Sequence, residues 1–291
     1  RGVHRYKCLN CGHQFQSPRR KDGLRKKLWK GYVKGKQTLV QLAEQYGRSH
    51  VWVRKQLDTI VVSAQKLLSQ PTVVIADTTF WGRHYGVCVF RSVHLKSNIW
   101  WHEVERELMA NYYYAKKVLE SNGWSFSAAV VDGRRGLINV FKGIPVQMCQ
   151  FHQIQIVVRS ITTRPKTEAG RELLALVRTL TETTEAEFTT VLMAWYEKWE
   201  SFVNEKTTST FLSGKTISYF THKGVHSAYG SLKRNLPYLF TYQKYPGLTI
   251  PNTTNALDGS FSNLKKKLAV HHGLRKGRRY KVISEILKGR A

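Results

Sequence analysis

Between residues 71 and 165 the apolar positions follow two different periods. TVVIADTTF (72–80), YGVCVFRSVHL (85–95) and NIWWHEVE (98–105) are continuous or alternating apolar runs separated by Gly, Asn or Ser, which is the pattern of strands. ELMANYYYAKKVLESNG (107–123) has helical spacing and a stop at Gly123. FSAAVVDG (126–133) reads as a buried strand, RRGLINVFKG (134–143) as a short helix and IPVQMCQF (144–151) as another strand, and QIQIVVRSIT (153–162) continues as helix. Three consecutive strands followed by crossover units predict an α/β fold: a mixed sheet flanked by helices.

The flanks of this segment are patterned differently. In residues 166–250 Phe188, Leu192, Trp195, Trp199 and Phe202 recur at three- and four-residue steps, and the region is expected to be a largely helical insertion. That aromatic stripe fits core packing better than a platform for stacked bases. Residues 251–291 read as a helix and a basic tail. Upstream, within 19–70, LVQLAEQYGRSHVWVRKQL (39–57) has the spacing of a helix-turn-helix. Ala43 allows close helix packing, Gly47 suits the turn, and Leu42, Val53 and Leu57 form the apolar side. The second helix would then present Ser49, His50, Trp52, Arg54 and Lys55 to a DNA groove. The same pattern also serves protein contact or dimerisation. Residues 1–18 contain Cys8-x-x-Cys11 followed by Gly12, the shape of one half of a zinc ribbon. Four ligands are needed, so His4, His13 or an upstream Cys pair would complete a Zn²⁺ site; two free thiols in a turn is the other reading. The chain opens on Arg1 within this motif, and the N-terminus is expected to be a fragment.

Charge narrows the partners. The 291 residues hold 47 Lys plus Arg against 19 Asp plus Glu, a formal net charge of +28. A 42% hydrophobic content supplies a core, which excludes a disordered basic tail. No run approaches a membrane-spanning length and no signal peptide is visible, so double-stranded DNA is the expected polyanion and no membrane partner is expected. Four cysteines do not make a disulfide framework at this size, which suggests a reducing, cytoplasmic setting. The charge is uneven. Residues 1–58 hold 15 Lys or Arg against 3 acids, whereas 168–205 hold eight Glu against three Lys or Arg. After Asp258 come ten Lys or Arg and a single Glu, so this tail either contacts phosphate or presents a solvated face.

Acids kept inside apolar segments of such a chain are candidates for chemistry. Asp77 ends the first strand run, Asp132 lies in a strand-end Asp-Gly, and Asp258 sits in the opening turns of a helix. Each alone has an ordinary explanation, as a turn residue or a partner of the helix dipole. Together they suit two Mg²⁺ or Mn²⁺ ions, which prefer hard oxygen ligands and can grip both oxygens of an in-line phosphoryl displacement. Asp77 would bridge the ions, with Asp132 and Asp258 completing one shell each. Glu103, Glu105 and Glu107 are rivals for the third acid by type. They are set aside because they sit at the third strand and the helix start.

These motifs resemble bacterial insertion-sequence transposases of the DDE class, prokaryotic relatives of Mutator-like elements with a ribonuclease H-like core. Asp77 matches the first acid and Asp132 the second; Cys149 and His152 in MCQFHQ match a Cys-x-x-His that follows it. Asn252, Asn255 and Asp258, then Lys265, Lys266 and Lys267, match an Asn-rich approach to the third acid and a Lys-rich helix, and HHGL at 271–274 also fits. The family usually has Glu where Asp258 stands, so the helix must sit closer or bind through water. The resemblance covers essentially the whole chain. It implies residues 1–18 as a partial zinc ribbon, 19–70 as a DNA-binding helix-turn-helix, 71–165 as the first part of the catalytic core, 166–250 as the insertion and 251–291 as the C-terminal core helix and tail. It further implies a nucleoid-associated bacterial enzyme, a homodimer on DNA, that binds terminal inverted repeats, cleaves the strand and joins the 3′-end to target DNA. Cys149, His152 and Asn255 would support the active site, and Lys265–Lys267 would contact DNA. A DNA-binding regulator with a degenerate core and a structure-specific nuclease such as a resolvase are the alternatives.

Overall fold

A computed structural model describes residues 5–16, 21–63, 67–134, 136–211, 213 and 215–288. The chain divides into two compact units. Among the described residues, 5–63 with 262–288 form one and 67–261 the other.

The first unit opens with an antiparallel hairpin, β1 (Arg5–Lys7) and β2 (Gln14–Gln16), on which Tyr6 and Phe15 stack. Cys8 and Cys11 lie in its turn, where Gly12 takes a φ of +69°. His4 lies outside the described residues. Three helices follow: α1 (Lys21–Val33), α2 (Leu39–Gln45) and α3 (His50–Asp58). Thr38 and Gln41 form a reciprocal capping box that starts α2, and the Ser49 hydroxyl accepts from the Trp52 N–H to start α3. Between them Gly47 adopts the left-handed conformation its turn requires, with φ +57°. Leu42, Val53 and Leu57 are fully buried, as their spacing predicts, and so is Leu28 on α1.

The second unit is built on a five-stranded mixed sheet. Its strands are β3 (Pro71–Phe80), β4 (Gly86–Ser92), β5 (Ser97–Val104), β6 (Ser125–Val131) and β7 (Val146–Met148), in the spatial order β5-β4-β3-β6-β7. The first three form an antiparallel meander, and β6 and β7 add on parallel to β3. The meander and crossovers expected from the apolar pattern are therefore present. Helices α4 (Met109–Ser121) and α5 (Leu137–Val140) cover one apolar cluster with Val74, Phe90 and Val131.

The other cluster joins α6 (Gln150–Ile161), α7 (Glu168–Arg178), α8 (Glu185–Asn204) and α9 (Lys223–Leu239). Phe188, Leu192 and Trp195 are buried there and Trp199 and Phe202 pack against it, so the aromatic stripe is core. Gly224, in the first turn of α9, sits so close to α6 that an added Cβ would lie 2.4 Å from the Ser160 carbonyl oxygen. The short α10 (Thr241–Lys244) leads to α11 (Asn255–Ala269), within which the unit boundary falls, and α12 (Lys276–Lys288) ends the chain.

Two sequence expectations need correction. The strand predicted over 144–151 stops at Met148. Cys149 N–H still bonds Val131 oxygen (2.8 Å), but Gln150 N–H turns to Asn252 oxygen (3.0 Å) as α6 begins. The insertion is also not all helix: β8 (Lys206–Thr210) and β9 (Thr216–Phe220) form an antiparallel ribbon, as suits the β-branched residues of KTTST and TISYF. No helix among the described residues is long and apolar enough to cross a membrane.

Candidate active site

Parallel pairing of β3 with β6 sets the first two acids side by side. Ile75 pairs with Val130, and Asp77 and Asp132 each lie two residues further on, so both are carried to the same end of the sheet and by parity to the same face. Asp77 is 7% exposed and accepts from the Thr78 N–H at 2.7 Å. Asp132, just past β6, accepts from the Arg134 N–H at 3.0 Å in an Asp-turn. The first turn of α11 brings in Asp258, and α6 brings His152.

One ligand atom from each of Asp77, His152 and Asp258 lies within 4.8 Å of the others, and the same holds for Asp77, Glu107 and Asp132. Asp77 thus belongs to two clusters that share it. Among the described residues these are the groups of three or more metal-ligating side chains, and neither includes Cys8 or Cys11.

Glu107, set aside on sequence grounds, is the surprise. It follows the end of β5 in the turn before α4, and its carboxylate accepts from the Tyr112 hydroxyl at 2.7 Å. With the Tyr112 proton so committed, the Thr78 hydroxyl donates to Tyr112 oxygen at 2.8 Å. Arg134 grips Glu107 twice, through the carboxylate (3.0 Å) and the backbone oxygen (2.6 Å). The loop after Asp132 and the loop before α4 are therefore tied together beside Asp77.

On the opposite side Thr254, at the start of α11, is the joint. Its hydroxyl lies 3.1 Å from Asp258 Oδ2, 3.3 Å from Cys149 Sγ and 3.5 Å from His152 Nδ1. A hydroxyl has one proton, so Thr254 donates to either Asp258 or Cys149 at a time. The Thr254 N–H also donates to Cys149 Sγ at 3.3 Å. Asn252 holds Gln150 through its side chain (2.9 Å), while Asn255 is exposed at the start of α11.

The electrostatics follow from burial. Desolvation raises the Asp77 carboxyl to about 7, against the pull of His152 and the Thr78 N–H and with the help of Asp132 and Asp258. Burial likewise raises Glu107. Hydrogen bonding to Cys149 raises His152 to about 9 despite its burial, and Asp77 and Asp132 add to the rise, so the imidazole is cationic at neutral pH. For Cys149, burial acts upward, but hydrogen bonds from His152 and Thr254 outweigh it and lower the thiol. The His152 imidazolium and the Arg134 guanidinium together do not balance four acidic side chains. The oxygen-rich donor set around a buried Asp77 fits a divalent cation.

The expected DNA-contacting residues belong to the first unit. Ser49 caps α3, His50 and Lys55 are exposed on it, and Trp52 and Arg54 are half-buried, with Arg48 over the Trp52 ring at 5.6 Å. Lys265 and Lys266 are exposed and Lys267 half-buried on α11.

No family model and no curated protein matches the chain. Among solved structures it is similar to a Drosophila P element transposase strand transfer complex, at 10% identity and a TM-score of 0.43, over 96% of this chain and 94% of that one.

Proposed function

We propose that the protein is a DNA transposase with a ribonuclease H-like core, of the insertion-sequence DDE type related to Mutator-like elements. One observation carries this reading: Asp132, Glu107 and Asp258 converge on the buried Asp77 from the end of a parallel strand pair, an adjoining turn and a helix start. Asp77, Asp132 and Asp258 are the proposed catalytic ligands, with Glu107 a fourth acid. Two Mg²⁺ or Mn²⁺ ions, when bound, would stabilise the attacking and departing oxygens of a phosphodiester in line.

The protein's own groups hold that arrangement. Tyr112 and Arg134 fix the Glu107 carboxylate, and the β3–β6 register fixes Asp77 against Asp132. Thr254 fixes Asp258 relative to Cys149 and His152. The His152 imidazolium offsets part of the acid cluster and places positive charge where a phosphate would approach. With α3 (Ser49, His50, Trp52, Arg54, Lys55) and Lys265–Lys267 on the DNA, residues 1–70 would select the terminal inverted repeats, Cys8 and Cys11 belonging to a zinc ribbon. A homodimer in the bacterial nucleoid, with one active site for each paired end, completes the proposal.

The test is cleavage and strand transfer on labelled end oligonucleotides with Mg²⁺ or Mn²⁺. Asp77→Asn should abolish both reactions and leave gel-shift binding intact, and Glu107→Gln should slow cleavage by roughly 10- to 100-fold. Cleavage retained by Asp77→Asn refutes the assignment. Cutting of branched DNA without joining points to a resolvase-like nuclease, and tight end binding without nicking points to a regulator.

A further inference from the structure

The ribbon β8–β9 projects an unusual composition. From Lys206 to Leu257 the sequence contains no Asp or Glu, immediately after the Glu-rich stretch that ends at Glu205. Most ribbon positions are exposed, and the two strands are rich in Thr and Ser, with Thr207–Thr221 and Thr210–Thr216 hydroxyl pairs at 2.7 and 3.1 Å. Its base is braced by two close ring stacks, Phe202 on His222 and Phe220 on His226, each at 3.5 Å. The one acid at the base, Glu205, is engaged by His222 at 2.9 Å.

Cations sit on both faces of the ribbon. Lys206 pairs across from Phe220 and lies over that ring at 5.4 Å. Tyr219 points to the other face, where Lys223 covers it at 4.9 Å. Lys223 also lines a cavity of about 430 Å³ beside the ribbon's base, together with Arg164, Lys166, Thr167 and Thr221. Among the described residues no carboxylate lines that cavity, and none of these four cations takes part in an ion pair.

We propose that the β8–β9 ribbon and its basal cavity are a second DNA contact, with the ribbon seated in a duplex groove and Lys206, Lys223, Arg164 and Lys166 on the flanking phosphates. The major groove is wide enough for a two-stranded ribbon, and its walls carry phosphates on both sides. A ribbon with hydroxyls along its length and cations on both faces matches that geometry, whereas an acidic protein surface would meet charge on one face only. The proposal rests on the transposase reading solely in taking DNA as the polyanion.

Binding of the full chain to a short fluorescent duplex, followed by anisotropy across a salt series without divalent metal, tests it. Lys206→Ala with Lys223→Ala, and separately Arg164→Ala with Lys166→Ala, should each lower the slope of log affinity against log salt by about 1 to 2, near 0.9 for each phosphate that is no longer neutralised. Lys206→Arg with Lys223→Arg should keep the wild-type slope, which a merely misfolded ribbon would not. Wild-type slopes in both alanine variants overturn the proposal, as does failure of a photo-crosslinker at Tyr219 to capture duplex. Because this titration reads binding alone, a wild type that binds with full slope yet neither cuts nor joins would sink the transposase reading and leave this one.

Discussion

Burial raises the Asp77 carboxyl to about 7, so the fold prefers its protonated form more than the unfolded chain does. The sign of the consequence is fixed: the penalty is absent below about pH 4, grows as pH rises toward 7, and is then constant, on the order of a few kcal/mol. Asn carries no such penalty. In chelator, Asp77→Asn should therefore melt above the wild type at pH 8, with the gap closing by pH 4 in thermal unfolding scans. Mg²⁺ should raise the wild-type midpoint and leave the variant's unchanged. Equal melting of the two proteins at both pH values would contradict the burial argument. Asp77 and Asp132 were legible from sequence because each interrupts or ends an apolar run, where a carboxylate has no structural reason to be. Glu107 was not. It stands among polar residues at a strand-to-helix turn, and only Tyr112 and Arg134, 5 and 27 residues away, give it a fixed place.

Elements were read most faithfully where their hydrophobic period was long. The meander and β6 have runs of buried residues that admit one interpretation, and their pairing alone puts Asp77 level with Asp132. The three-residue β7 is too short to display a period, and the helix after it begins where the Gln150 N–H finds Asn252 instead of a neighbouring strand. The ribbon was hidden because its strands bury neither face, leaving β-branched residues as the sole signal. Between helices, α3 and α12 are joined by a pair that no sequence period reveals. Arg278 donates to both oxygens of Asp58 at 2.7 Å, and Lys281 donates to the Asp58 backbone oxygen at 2.6 Å. Hydrogen bonding from Arg278 holds Asp58 below the usual carboxylate range. Its stabilisation is thus fully present above the unfolded value near 4 and is lost as pH falls through the lower folded value. Asp58→Asn should lower the melting temperature at pH 7, by an amount that shrinks toward zero as both proteins are acidified below pH 4. A difference that persists unchanged in acid would assign the loss to something other than this charge.

Across the whole molecule, charge is sorted by region. The net +28 conceals a Glu-rich α7–α8 segment followed by 52 residues, 206–257, without a carboxylate. That sorting was readable in the sequence as counts, but its meaning depends on the ribbon that the second half of the insertion forms. The chain's acids are few, and four of the 19 gather at Asp77. The packing of α9 on α6 restricts the molecule in a different way. Because the obstacle at position 224 is the Ser160 carbonyl, a backbone atom that no rotamer change can move aside, every side chain from Ala upward must separate the two helices. A saturation library at this codon, sorted for soluble folded protein, should return glycine alone. Recovery of alanine at wild-type abundance would mean that α9 can step back from α6. If glycine alone survives, codon 224 is closed to sequence drift even though it lies outside the acid cluster.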